Sequence, residues 1–169
     1  LYAKYVIGGT IGELGSGIVA HEDTDVADRV CKALKNEGVT IITGASASAV
    51  RGAGDEAGFR FILDGTEQAL PADAILLATG RRPLTAGLNL EAAGVKTTEQ
   101  GAIAVDERLQ TSVPHIWALG DVKGGPQFTY ISLDDFRIVR DALYGEGKRV
   151  ASDRDPAYTV FMDPPLGRV

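Results

Sequence analysis

The feature that narrows the fold most is a helix that returns at once to a strand. Val26, Val30, Ala33 and Leu34 recur at helical spacing between Asp25 and Asn36, with Glu22, Asp23 and Asp25 ahead of them and Gly38 behind. Val39-Thr40-Ile41-Ile42 follows without a linker, and its β-branched content reads as a strand. A helix feeding directly into a strand predicts an α/β chain. Upstream, Lys4-Tyr5-Val6-Ile7 reads as a buried strand running into Gly8-Gly9-Thr10-Ile11-Gly12. Strand followed by glycine turn is how a nucleotide-binding unit opens. The pattern is one residue short of G-x-G-x-x-G, however, and Glu13 to Ala20 is too brief for a helix, a second strand and the acidic residue that would meet a ribose. The glycines therefore have two readings, a pyrophosphate site or a plain turn.

Further along, Phe59–Leu63 and Thr66–Leu70 flank Asp64-Gly65, which predicts a hairpin with a type I′ turn. Arg51 to Gly58 is expected as a surface turn of the same β-meander. Ala74-Ile75-Leu76-Leu77-Ala78 is unbroken and apolar, as a central strand covered on both faces would be, and it ends in Thr79-Gly80-Arg81-Arg82-Pro83. A short helix near Leu90–Ala93 and two short strands, Ala102–Val105 and Ile116–Leu119, come next. Gly120-Asp121 closes the second strand. Leu133 to Leu143 reads as a helix with Phe136, Val139 and Leu143 on one face, and Tyr158 to Met162 starts another strand.

Composition removes several function classes. Of 169 residues, 44% are hydrophobic and 24% charged, an ordinary globular balance. The apolar run at Ala74–Ala78 falls far short of the roughly 20 residues a membrane helix needs. A net charge of -6 works against phosphate backbones, so nucleic acid is not an expected partner. The single cysteine, Cys31, allows neither an internal disulfide nor a Cys-x-x-Cys pair. With no secretion-signal pattern in Leu1–Ile7, cytoplasm is the expected compartment. A start on a strand-like run without Met reads as a piece of a longer protein. Cys31 is expected as a buried structural thiol, His21 as part of a solvated cap and His115 as a loop residue; none suggests a metal. Asp134, Asp135 and Arg137 read as a solvated first helical turn.

The strongest site signal is Gly120-Asp121. A carboxylate at the end of a strand, after a Gly that lets a ligand come close, can accept hydrogen bonds from a polyol such as a ribityl chain. Alone, such a pair is commonly just a turn. The whole string Thr111-Ser112-Val113-Pro114-His115-Ile116-Trp117-Ala118-Leu119-Gly120-Asp121 resembles the second FAD motif of the pyridine nucleotide-disulfide oxidoreductases, the family of glutathione, dihydrolipoamide and mercuric reductases. Ala74 to Pro83 is similar to that family's other connecting motif. The run Gly124 to Arg140 resembles the mercuric-reductase-like branch, bacterial reactive-chlorine-resistance flavoproteins associated with copper reduction.

The resemblance implies an incomplete Rossmann-like α/β domain, a parallel sheet plus β-meander, that binds FAD and NAD(P)H. Residues 1–83 would be a partial NAD(P)-binding domain with an internal deletion near 13–20. Residues 84–150 would return to the FAD domain, and 151–169 would begin a truncated dimer-interface domain. It further implies that Asp121, with Gly120, holds the ribityl chain. Gln127, Phe128, Thr129 and Tyr130 would line the flavin, Gly80 and Arg81 would approach the nicotinamide nucleotide, Gly9 and Gly12 its pyrophosphate, and Val160 the nicotinamide. Core packing explains Phe128, Tyr130 and Val160 equally well. Hydride would pass from nicotinamide to flavin and on to a disulfide, metal ion or similar small acceptor. The family's redox cysteine pair and His-Glu pair have no counterpart in this sequence, so no catalytic residue is assigned. The family is homodimeric, which leaves the state of this chain open. The competing readings are an inert α/β piece and a nucleotide-binding module without redox activity.

Overall fold

A computed structural model describes residues 8–51 and 58–168. The strand expected at Lys4–Ile7 and most of the turn expected at Arg51–Gly58 lie outside them. The chain divides into two compact units, one of residues 1–78 with 160–166 and one of residues 79–159 with 167–169.

The first unit is built on a parallel pair. β1 (Gly9–Gly12) lies beside β2 (Val39–Ile42) in the register Gly9↔Val39 to Gly12↔Ile42. α1 (Thr24–Asn36) is the crossover between them, with Val30 buried. The expected glycine turn is thus corrected to a strand. At Gly12 the missing side chain serves packing: a Cβ there would stand 3.3 Å from the Phe59 ring. Past β1 the backbone stays tied to the end of β2, with Glu13 N donating to Ile42 O and Ala45 N to Glu13 O, both at 2.9 Å. α1 carries its acids in front as expected, yet Asp23 at the N-cap makes no side-chain capping bond.

β3 (Ser46–Arg51), β4 (Gly58–Leu63) and β5 (Thr66–Pro71) form an antiparallel meander in that order. Asp64 and Gly65 both take positive φ, 50° and 76°, the backbone a type I′ turn requires. Phe61 is the buried anchor of the meander at 3% exposure, its ring 5.4 Å from that of Phe59. The run Ala74–Ala78 is not a strand. It has no ladder partner among the described residues, and Leu76 and Leu77 are 78% and 66% exposed. An apolar run buries both faces only between neighbouring strands, and the parallel sheet among the described residues holds just β1 and β2.

The second unit is mostly irregular backbone around a small core of Val95, Ile103 and Ala118, with Leu90, Val105, Val113, Ile116 and Val122 packed on it. The two strands expected at Ala102–Val105 and Ile116–Leu119 reduce to single bridges, Thr97↔Ile103, Val105↔Thr111 and Gln110↔Trp117. Each bridge has a different partner, so no ladder propagates. Around Leu90–Ala93 there is one turn rather than a helix, with Ala93 N donating to Asn89 O. α2 (Thr129–Tyr144) is longer than expected and buries Ile131, Asp135 and Ile138, while Phe136 and Leu143 are exposed. Val139, on the same face as those two, is half-buried. β6 (Tyr158–Val160) and β7 (Leu166–Arg168) make a two-stranded sheet.

α2 ends on Asp141. Its carboxylate accepts the backbone N–H of Arg149 at 3.0 Å and of Glu146 at 3.3 Å, folding the 145–149 loop back on the helix. The Arg149 N–H is the main reason its pKa lies below the ordinary carboxylate value; burial opposes this, and the Lys148 and Glu146 N–H groups add to it.

Two outcomes follow. Phe61→Ala should cost about 3–5 kcal/mol by denaturant unfolding, the usual loss for an emptied aromatic core site. A depressed carboxylate pKa stabilises above its unfolded value and stops doing so as pH falls through the folded one. Amide exchange in residues 146–149 should therefore be protected at neutral pH and lose protection below pH ~4. In Asp141→Asn that loop should be equally unprotected at both.

Candidate functional site

Asp121 sits on a single 3-10 turn, Gly120–Lys123, rather than at the end of a strand. The turn is held on several sides. Ile103 N donates to Val122 O at 2.9 Å and Gly124 N to Asp121 O at 3.1 Å. Gly120 N donates to Asp135 Oδ2 of α2 at 2.8 Å. Gly120 has φ 73°, and a Cβ on it would lie 3.0 Å from Ser132 Oγ. Glycine is needed there for both reasons.

Asp135 is fully buried, against the expected solvated turn. Its Oδ1 accepts Arg154 Nη2 at 2.6 Å, and Lys123 Nζ lies 3.4 Å from its Oδ2. Lys123 is itself 10% exposed. Arg154 Nε also lies 3.2 Å from Asp134 Oδ2, as an ion pair without the alignment of a hydrogen bond, and Arg149 Nη2 reaches Asp134 Oδ1 at 3.2 Å. Burying one carboxylate costs several kcal/mol, which is offset only when its oxygens are paired and hydrogen-bonded. Asp135 meets that condition. Reading the sequence as a solvated turn missed Asp135, Lys123 and Arg154. The signal was available in the spacing: Ile131, Asp135 and Ile138 are four and three residues apart on one helix face, so the acid shares a stripe with two apolar neighbours.

Asp121 is in the opposite position. Its side chain is 49% exposed, and its ion pair with Arg81 Nη1 is 3.9 Å long with the arginine 70% exposed. Such a pair is worth at most about 1 kcal/mol, so the carboxylate is available to a ligand. Gly80, with φ 97°, leads into Arg81. Arg81, Arg82, Pro83, Glu99 and Gln100 line an open pocket of about 420 Å³.

At the start of α2 the rings form a stack. Phe128, the N-cap residue, lies 5.5 Å from Tyr130 and 5.3 Å from Tyr158, with interplanar angles of 18° and 20°. The Arg168 guanidinium carbon stands 5.9 Å from the centre of the Tyr158 ring. The helix has no side-chain cap and no acid in its first turn. Its first N–H groups and their partial positive charge thus face whatever approaches.

Gly80, Arg81, Gly120, Asp121, Gln127, Phe128, Thr129 and Tyr130 all lie in the second unit, where Arg81 meets Asp121 and Phe128 stacks on Tyr130, whereas Gly9, Gly12 and Val160 belong to the first. Cys31 is half-buried and unbridged. Among the described residues no group of three or more His, Cys, Asp and Glu is placed to hold a metal, and no helix is long and apolar enough to cross a membrane.

A family model described as pyridine nucleotide-disulphide oxidoreductase matches residues 7–135. The chain belongs to this family. The probable pyridine nucleotide-disulfide oxidoreductase RclA of Escherichia coli (strain K12) is 47% identical over 171 residues, covering all of this chain and 38% of that protein. A mercuric reductase of Staphylococcus aureus is 37% identical over 147 residues, covering 87% and 27%. The solved Cu(II) complex of the HOCl-induced flavoprotein disulfide reductase RclA from Escherichia coli superposes with a TM-score of 0.85 at 45% identity, covering 98% of this chain and 38% of the other. The chain thus spans well under half the length of these oxidoreductases.

Gly120→Ala places a β-carbon in the left-handed region and against Ser132, at a cost of about 1–3 kcal/mol. Chemical denaturation should show that drop, and an unchanged midpoint would mean the turn is not packed on α2.

Proposed function

We propose that this chain supplies half of a flavin site and part of a nicotinamide-nucleotide site in an FAD-dependent NAD(P)H oxidoreductase. The observation that carries the reading is Asp121: a half-exposed carboxylate, weakly paired, on a turn held rigidly from beneath and beside an uncapped helix start. A rigid support under an available acceptor is what a ligand-binding carboxylate needs.

The residues present fit FAD. Asp121 would accept hydrogen bonds from ribityl hydroxyls, and the N–H groups at the start of α2 would favour electron density on the flavin ring. Gln127, Phe128, Thr129 and Tyr130 would line that ring. Bound FAD would supply the two-electron chemistry, accepting hydride from NAD(P)H and passing electrons on. Gly80 and Arg81 would take the nucleotide, with the Arg81 and Arg82 pocket suited to its phosphates. Gly9 and Gly12 would approach its pyrophosphate and Val160 its nicotinamide. The supporting observation for Gly9 and Gly12 is weaker, since both lie in β1 rather than in a turn at a helix N-terminus.

In this reading residues 1–83 contribute to the NAD(P) domain, 84–150 to the FAD domain and 151–169 to a dimer interface. The electron acceptor would be a small molecule, a disulfide or a metal ion; the copper complex of the RclA relative favours including metal ions. Cytoplasm is the proposed compartment.

The intact protein that contains this sequence should be yellow and bleach on addition of NADH, and Asp121→Ala in it should raise the FAD Kd about tenfold or more, the loss of a charge-assisted hydrogen bond. Colourless protein that gains no thermal stability from FAD or NADH would sink the reading.

A further inference from the structure

The turn that carries Asp121 is only four residues long, and both of its ends are tied to one buried carboxylate. Gly120 N donates to Asp135 Oδ2 at 2.8 Å, and Lys123 Nζ lies 3.4 Å from the same oxygen. Asp135 cannot shift to follow a moving turn, because it is fully buried in α2 and Arg154 Nη2 holds its other oxygen at 2.6 Å. Arg154 is fixed in turn by Asp134. By contrast, the only ion pair on Asp121 itself among the described residues is the long, exposed one with Arg81. Where Asp121 points is therefore set at Asp135.

We propose that Asp135 is a positioning residue: it clamps the 120–123 turn to α2 and thereby aims the Asp121 carboxylate at the flavin ribityl chain. The proposal rests on the flavin reading above and deepens it. The α2 helix presents Asp135 to the turn and, between one and two turns earlier, the aromatic pair Phe128 and Tyr130 at the uncapped helix start, so the clamp also sets the distance between the polyol ligand and the flavin-ring wall.

A mutant cycle separates aiming from mere stability. FAD Kd would be measured by flavin fluorescence in the intact protein that contains this sequence, for wild type, Asp135→Asn, Asp121→Ala and the double variant, with thermal melts alongside. Asp135→Asn keeps the shape but weakens the ion pairs, and it should raise Kd about tenfold, as for a lost hydrogen bond to a charged group. Because Asp135 acts through Asp121, that penalty should vanish in the Asp121→Ala background. The bound flavin's visible absorption band should also shift in Asp135→Asn. The proposal is overturned if the Asp135→Asn penalty persists in full without Asp121, or if only the melting temperature falls while Kd and spectrum stay put. If Asp135→Asn does not fold, Arg154→Lys carries the same cycle, since lysine lacks the fork that reaches Asp134 and Asp135 together. Failure of the flavin reading looks different: wild type then takes up no FAD, or Asp121→Ala binds it as wild type does.

Discussion

The second unit depends on one buried charge. Asp135 faces inward from a helix whose other inward residues are Ile131 and Ile138, and an unpaired carboxylate there would cost more than the two apolar neighbours return. Arg154 supplies the pairing from one place in the sequence, and Lys123 and the Gly120 N–H supply it from the two ends of one turn. Their convergence joins α2, the Asp121 turn and the segment before β6. A polar network of this kind is directional where apolar packing is not, so it specifies one geometry. That property suits a turn whose side chain has to meet a ligand at hydrogen-bond distance.

The same unit shows how little regular structure such a site needs. Three single bridges and a core of three small or branched residues replace the strands expected at Ala102–Val105 and Ile116–Leu119. Backbone groups find partners one at a time, as in Ala118 N to Leu109 O and Thr111 N to Ile116 O. The regular parts are the turn and the helix, and Gly120, Asp121, Thr129 and Tyr130 lie on them, with Gln127 and Phe128 leading into the helix and Arg81 paired with the turn.

Much of the fold was legible. The helix at 24–36, the strand at 39–42 and the Asp64-Gly65 hairpin rest on local preferences: spacing, β-branching and the positive φ of a type I′ turn. Misreadings arose where a segment's state depends on its neighbours. Ala74–Ala78 has strand composition but no ladder partner among the described residues. Gly9–Gly12 has turn composition but pairs with β2, and its last glycine makes room for Phe59.

The site divides in the same way. Sequence alone established the family motif ending at Asp121, the glycine before it and the aromatic run after it, because these are contiguous and their chemistry is local. Which acid is buried and which is available was decided by tertiary structure. Asp121 and Asp135 are the same residue type, fourteen positions apart, and the apolar spacing around Asp135 marks its helix face but not the partners it meets there. Arg154 and Lys123 reach one and leave the other to a single exposed arginine, and that distribution of charge exists only once the chain has folded.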